Sequence, residues 1–223
     1  MDSDGAKPLC TVIGAGPGVS RAVAKRFGSA GLRVALVSRN AGNVLRFVAE
    51  LQAGGTQARA FAGDASSEDS LRKTFHEIQE SLGPTGVLVY NAYRFHQANP
   101  SELPASQLTA DLQVNIVGAL VSAQCVIGDM KAAHRGTILF TGGGLALEPE
   151  SNYSSLAVGK AGMRSLALSL HKELTPFHIH VATVTICGLV KEGTRFSPDK
   201  IAEVFFQLHR QPQGKWDREF VYQ

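Results

Sequence analysis

Cysteine is scarce: Cys10, Cys125 and Cys187 are odd in number, far apart and without metal-ligand spacing. That pattern suggests neither a disulfide framework nor a zinc site and points to reduced thiols packed as small apolar groups. Surplus charge is scarce too. Twenty-two Lys and Arg against 19 Asp and Glu leave a net +3, and no basic run with interleaved aromatics suits a nucleic acid. No apolar run approaches the length of a membrane span, and the opening MDSDGAKP is too acidic and polar for a secretory or mitochondrial leader. The expectation is a cytoplasmic chain with no membrane contact. Linkers, repeats and low-complexity segments are also missing, so the 223 residues, 44% of them hydrophobic, fit a single α/β domain spanning 1–223. One local absence is sharper. From Gly5 to Ala49 stand Lys7, Arg21, Lys25, Arg26, Arg33, Arg39 and Arg46, with no Asp or Glu.

What is present alternates strand and helix. LCTVI leads into a helix from Gly18 to Ala30, LRVALV into Ala41 to Ala53, TQARAFA into Ser67 to Leu82, and GVLVY into a loop and a long helix ending near Lys131. GTILFT, a helix from about Asn152 to Leu174, HIHVATVTI, a helix from Pro198 to His209 and the short strand EFVYQ follow. Val44, Leu45, Val48 and Leu51 fall on one helical face, and Leu166, Leu170 and Leu174 on another. VALV and VLVY are unbroken apolar runs, as in strands covered on both faces. Right-handed crossovers then predict a Rossmann-type, doubly wound parallel sheet of about seven strands, with ligands beyond the carboxyl ends of the strands.

The first such end reads Ile13-Gly14-Ala15-Gly16-Pro17-Gly18-Val19-Ser20, a turn that offers backbone N–H groups and a helix N-terminus to a phosphate. Its spacing resembles the T-G-x-x-x-G-x-G of the short-chain dehydrogenase/reductase family, with Ile13 for the Thr and Ser20 for the last Gly. Asp64-Ala65, Asn91-Ala92, Asn115 with Gly118, Lys160 and Gly188 keep the order and spacing of that family's later motifs. The resemblance covers nearly the whole chain. It implies hydride transfer between a nicotinamide cofactor and a carbonyl or alcohol substrate. Gly14, Pro17, Gly18 and Val19 would cradle the pyrophosphate, Asp64 and Ala65 the adenine, Asn91 and Ala92 the body of the cofactor. Gly188, Val190 and Thr194 would hold the carboxamide end. Where the family pattern has an acid for the ribose hydroxyls of NAD, this chain has Ser38-Arg39-Asn40. A guanidinium pairs with a 2′-phosphate that an acid would repel, so NADP(H) is expected over NAD(H).

The catalytic end departs from the pattern. Lys160 occupies the Lys of the family's Y-x-x-x-K, but Leu156 stands where the Tyr should be, and Gly142 or Gly143 where a Ser should follow the fifth strand. In the family the Lys lowers the Tyr pKa and binds the nicotinamide ribose, and the Asn carbonyl continues a proton relay. Lys160, Asn115 and Tyr153 are the catalytic candidates here, Tyr153 standing seven residues before Lys160 and so about 10 Å along a helix. Tyr93, where the family has Gly, joins Arg94, His96 and Gly143 as substrate-pocket candidates. Substrate loops are expected at 90–104 and 187–198, the second too short for a large lid. Family members pair through their two long helices, and the apolar positions Leu112, Ala119, Ala123, Val126 and Met130 exceed one buried stripe. A homodimer or homotetramer is expected. Two readings remain: an NADP(H)-dependent oxidoreductase with an atypical active site, or a catalytically silent NADP(H)-binding sensor or scaffold.

Overall fold

A computed structural model describes residues 7–223; the opening MDSDGA, on which the leader reading and the first residues of the acid-free stretch fall, lies outside them. In chain order the elements are β1 (Leu9–Ile13), α1 (Val19–Ser29), β2 (Arg33–Ser38), α2 (Leu45–Ala53), β3 (Ala58–Ala62), α3 (Glu68–Leu82) and β4 (Val87–Tyr90). Then come α4 (Ala105–Leu112), α5 (Gly118–Ala132), β5 (Gly136–Gly143), α6 (Ser154–Leu174), β6 (Ile179–Ile186), α7 (Pro198–His209) and β7 (Glu219–Tyr222). The strands form one parallel sheet in the order β3-β2-β1-β4-β5-β6-β7. The order reverses between β1 and β4, and ligands of such sheets bind outside the strand ends at that point.

Successive strand side chains face opposite ways, which is why unbroken apolar runs are needed. Cys10 and Val12 of β1, Val34 and Leu36 of β2, and Val87 and Val89 of β4 join a core with α1, α2 and α7. Leu9 and Ile13, Ala35 and Val37, and Leu88 and Tyr90 join the opposite core with α3, α5 and α6. The far edge is tied down by charge. Arg164 of α6 donates two hydrogen bonds to Glu219 of β7, at 2.8 and 2.6 Å, and Thr185 of β6 donates a third at 2.6 Å.

Three expectations need correction. Ala41–Val44 is a 3-10 turn, so α2 starts later and its apolar face is Phe47, Val48 and Leu51, while Leu45 is 58% exposed. The helix from Ala105 to Ala132 is long and apolar enough to cross a membrane by length and composition alone, contrary to the reading that no run is. Half of its most apolar stretch is buried within the domain, the reason it is apolar. Ala119, Ala123, Val126 and Met130 are all spent on that core, so they are no surplus for a partner.

The same long helix is interrupted by a π-turn over Gln113–Val117. Gly118 N–H bonds the Gln113 carbonyl, five residues back, so the Val114 carbonyl loses its helical donor and instead accepts the hydroxyl of buried Tyr90. Tyr90 is fully buried, which pushes its phenol up and keeps it a neutral donor. Gly118 makes the approach possible.

Away from the strand ends, His209 closes α7 against Phe27 and Phe206, its Nδ1 3.0 Å from the Thr137 hydroxyl. Burial, with the charges of His180 and Arg210 added, pushes its imidazole down to about 4. Above the unfolded value near 6.5 both states are neutral; between 6.5 and 4 only the unfolded chain takes the proton, so stability falls as pH falls. A loss on the order of 2 kcal/mol is expected by pH 5 relative to pH 7.5, read from urea midpoints. His209→Asn is expected to flatten that slope, and an unchanged slope would contradict the assignment.

Candidate active site

The turn after β1 packs closely on the backbone that follows β4. Gly14 takes φ +79°, and a Cβ there would lie 2.4 Å from the Ala92 nitrogen. Gly14 and Ala15 N–H both donate to the Val37 carbonyl, at 3.0 and 2.9 Å. Around Gly16 and Gly18, by contrast, the space is open. α1 has Gly18 as its N-cap, with no side-chain cap and no acid in its first turn, which leaves its first N–H groups and its dipole to an anion. Ser20 accepts from Gly16 N–H at 2.8 Å and donates to the Gly16 carbonyl at 3.1 Å, so its hydroxyl closes the turn from inside the helix.

From this turn a cleft of about 1470 Å³ runs along the strand ends. Gly14, Pro17, Gly18, Val19, Ser38, Arg39, Asp64 and Ala65 line one end. Arg39 has no ion pair or hydrogen bond among the described residues. Asp64 is engaged rather than free: its Oδ1 accepts from Ser66 N–H at 2.9 Å and from the Ser66 hydroxyl at 2.8 Å. The Ser66 N–H first, then the Ser66 hydroxyl and the charges of Arg39 and Arg94, hold its carboxyl below the usual carboxylate range against the opposing effect of burial. Asn40 turns away and caps the 3-10 turn through Gly42 N–H.

In the middle, Asn91 and Ala92 line the cleft, and the Asn91 side chain spans three strand ends. Its Nδ2 donates to the Gly14 carbonyl at 3.3 Å and its Oδ1 accepts from Thr141 at 3.0 Å. Asn115 lies below the cleft, not in its lining. Its side chain accepts from Arg94 N–H at 2.9 Å and donates to the Arg94 carbonyl at 2.8 Å, clamping the loop after β4. Gly159 of α6 leaves room for it, since a Cβ there would lie 2.5 Å from Asn115 Nδ2. His96 also lies outside the cleft, its Nδ1 3.0 Å from fully buried Asp111, which Arg94 Nε meets at 3.3 Å.

At the far end Lys160 of α6 is buried, donates to the Thr141 carbonyl at 2.6 Å and has no carboxylate partner among the described residues. Burial pushes its ammonium down to about 8. Gly143, Leu156, Tyr93, Arg94, Gly188 and Val190 line the cleft around it. Of Gly142 and Gly143, only the second has room for a side chain. A Cβ at 142 would lie 2.7 Å from Thr183 Oγ1, whereas one at 143 would touch Lys160 carbons at 3.6 Å, an ordinary contact. Thr194 and Tyr153 are not in the lining: the Thr194 hydroxyl donates to the Lys191 carbonyl, and Tyr153 precedes α6 with its ring 5.7 Å from Phe95.

Residues 9–200 match the short chain dehydrogenase family. The chain belongs to that family. Among curated relatives, the 3-oxoacyl-[acyl-carrier-protein] reductase of Bos taurus is 28% identical over 79% of this chain and 73% of its own length. The 2,3-dihydro-2,3-dihydroxybenzoate dehydrogenase of Bacillus subtilis (strain 168) is 26% identical over 83% and 69%. Among solved structures, a short-chain dehydrogenase from Rhodopseudomonas palustris superposes with TM-score 0.88 at 27% identity, over 97% of this chain and 98% of that one. A metagenomic short-chain oxidoreductase in complex with NADP superposes with TM-score 0.89 at 24% identity, over 97% and 96%, and shares the fold.

Several residues of this short-chain dehydrogenase site escape sequence reading. Asp111 precedes Asn115 by four residues, so both lie on one helical face and both grip the same loop, at Arg94 and His96. That spacing is the only signal that points to it. Phe95, Leu145, Leu147 and Leu189 wall the cleft mouth, and Leu189 is 81% exposed. Nothing in their local pattern separates them from ordinary loop residues.

Proposed function

We propose that this chain is an NADP(H)-dependent oxidoreductase of the short-chain dehydrogenase type, acting on a neutral, apolar carbonyl or alcohol through an atypical active site. The observation that carries the reading is the continuity of the cleft from the uncapped N-terminus of α1, past Arg39, to buried Lys160. The open space at Gly16 and Gly18 fits a pyrophosphate, and Arg39 fits a 2′-phosphate. Asp64 keeps its second carboxylate oxygen for the adenine, Asn91 and Ala92 underlie the cofactor, and Lys160 and the Val190 backbone take its ribose and carboxamide. When bound, NADPH supplies a hydride to the substrate. Tyr93, Phe95, Leu145, Leu147, Leu156 and Leu189 offer that substrate apolar surface, while Glu148 and Glu150 offset the cations Arg94 and Lys160 on the same lining and so suit a neutral one.

Titration by nucleotide fluorescence followed by turnover of aldehyde, ketone, quinone and enone panels tests the reading. Tight NADPH binding with no turnover on any panel favours the silent sensor or scaffold instead. Arg39→Ala is expected to weaken NADPH binding about 10- to 100-fold and leave NADH little changed, the worth of a charge-assisted bond to the phosphate. Stronger NADH than NADPH binding by the unmodified chain would sink the assignment.

Assembly belongs to the same proposal. Half-buried Ile116 and Leu120 on the long helix, with Val158 of α6 48% exposed, leave an apolar strip across the two helices that fits a second copy. A dimer or tetramer mass is expected by light scattering at micromolar concentration; a monomer mass overturns it. The free thiols of Cys10, Cys125 and Cys187 fit a cytoplasmic location.

A further inference from the structure

Leu156 and Gly143 put no hydroxyl where the family pattern has its Tyr and Ser, and the Thr141 hydroxyl of β5 is spent on Asn91 Oδ1 at 3.0 Å, yet one phenol ring lies beside Lys160. Tyr93 stands on the loop after β4, lines the same cleft, and has its ring centre 5.7 Å from Lys160 Nζ. The other three of the chain's four tyrosines are placed elsewhere. Tyr90 is buried and donates to the Val114 carbonyl, Tyr222 donates to the Arg195 carbonyl at 2.6 Å, and Tyr153 lies outside the cleft lining. Among the remaining proton carriers of the lining, the Cys187 thiol is turned to the Thr185 carbonyl at 3.7 Å.

The loop that carries Tyr93 is pinned on the side away from the cleft. Asn115 holds both backbone groups of Arg94, and Asp111 holds the side chains of Arg94 and His96. The Phe95 ring stacks on Tyr93 at 6.3 Å and 15°, and Tyr153 backs Phe95 at 5.7 Å. A bulky residue at a position where the family resemblance expects glycine is thus supported from beneath.

We propose that Tyr93 is the proton donor of this site, with Lys160 as the cation that stabilises the phenolate left behind. The proposal rests on the oxidoreductase reading above. In the reducing direction bound NADPH would supply a hydride to the carbonyl carbon as the C=O π pair passes to oxygen. That oxygen takes the proton of Tyr93 Oη, and the phenolate recovers a proton from water at the open mouth of the cleft. The carbonyl would thereby become the alcohol, the hydride's two electrons coming from bound NADPH and the proton from Tyr93.

The test uses the full chain, NADPH and 4-nitrobenzaldehyde as the probe, with Tyr93→Phe keeping the ring and removing only the hydroxyl. Tyr93 is 59% exposed, so the variant is expected to melt within about 2 °C of the parent. Its kcat is expected to fall about 100-fold, while its fluorescence-measured NADPH dissociation constant stays within twofold. A kcat within threefold of the parent overturns the proposal. So does a loss of NADPH affinity as large as the loss of kcat, which would make Tyr93 a wall of the cofactor site. A parent chain that binds NADPH and turns over neither this probe nor the panels overturns the oxidoreductase reading and Tyr93 with it, whereas activity that survives Tyr93→Phe removes only the latter.

Discussion

Gly118→Ala is expected to lower the melting temperature by about 10 °C, a loss of about 3–4 kcal/mol in a chain of this size. The added Cβ would lie 2.2 Å from the Ala65 carbonyl oxygen and 2.6 Å from Tyr90 Oη. Neither neighbour has room to yield. Ala65 leads into α3 and lines the cleft, and Tyr90 is the last residue of a central strand, fully buried and bonded to Val114. Either α5 moves away from the sheet, or the Tyr90 hydroxyl gives up the carbonyl that the π-turn exposes and leaves it unsatisfied in the core. The π-turn also sets Asn115, so the loop carrying Arg94 should loosen, with NADPH binding weakened beyond what global unfolding accounts for. Gly128→Ala, on the same helix with open space around it, is the matched control and is expected to stabilise by roughly 0.5–1 kcal/mol. Equal melting temperatures for the two variants would show that the Gly118 contact is not a constraint.

That contrast marks how much of the molecule is legible in the sequence. Strands are readable because a central parallel strand is apolar at every position, as LCTVI and VLVY nearly are, and topology alone then puts the ends of β1, β2, β4 and β5 on one cleft. Helix phase is less readable. A four-residue 3-10 turn at Ala41–Val44 changes the phase of α2, so Leu45 faces water although its spacing fits the apolar stripe. Ala119, Ala123, Val126 and Met130, spaced four, three and four apart, form one stripe that is wholly buried against the sheet and the α3 side of the core, so their number carries no sign of a partner. The site divides the same way. Gly14, Asp64 and Lys160 are found by spacing along the chain, while the approach of Tyr93 to Lys160 leaves no local trace and the grip of Asp111 on His96 leaves only its four-residue spacing from Asn115. At Asp64 the spacing gives the residue but not the turn in which the Ser66 N–H and hydroxyl bond back to its carboxylate.

The second large effect runs in the direction of gain. In the Tyr93→Phe background, Gly143→Ser with Leu156→Tyr is expected to raise kcat on a carbonyl probe by about 100-fold, into the range that general acid catalysis supplies. Leu156 and Lys160 stand four residues apart on α6, so their side chains share a face, and both line the cleft. A tyrosine at 156 therefore extends into open space one helical turn from the ammonium. At position 143 a Cβ meets only Lys160 carbons at 3.6–3.7 Å, so a serine hydroxyl enters without displacing backbone. Gly142→Ser is the negative control: its Cβ would lie 2.7 and 2.9 Å from the hydroxyls of Thr183 and Thr185 and 3.0 Å from the Val184 carbonyl, and it should destabilise the chain without adding turnover. Steady-state kinetics with NADPH affinity measured on the same preparations separates the outcomes. Recovery of turnover with affinity unchanged means that Lys160 still stands where a phenol on either segment can use it. Retained NADPH binding with no gain means that the aldehyde does not reach the reacting atoms, and the departure at 143 and 156 then reflects a cleft that no longer performs hydride transfer.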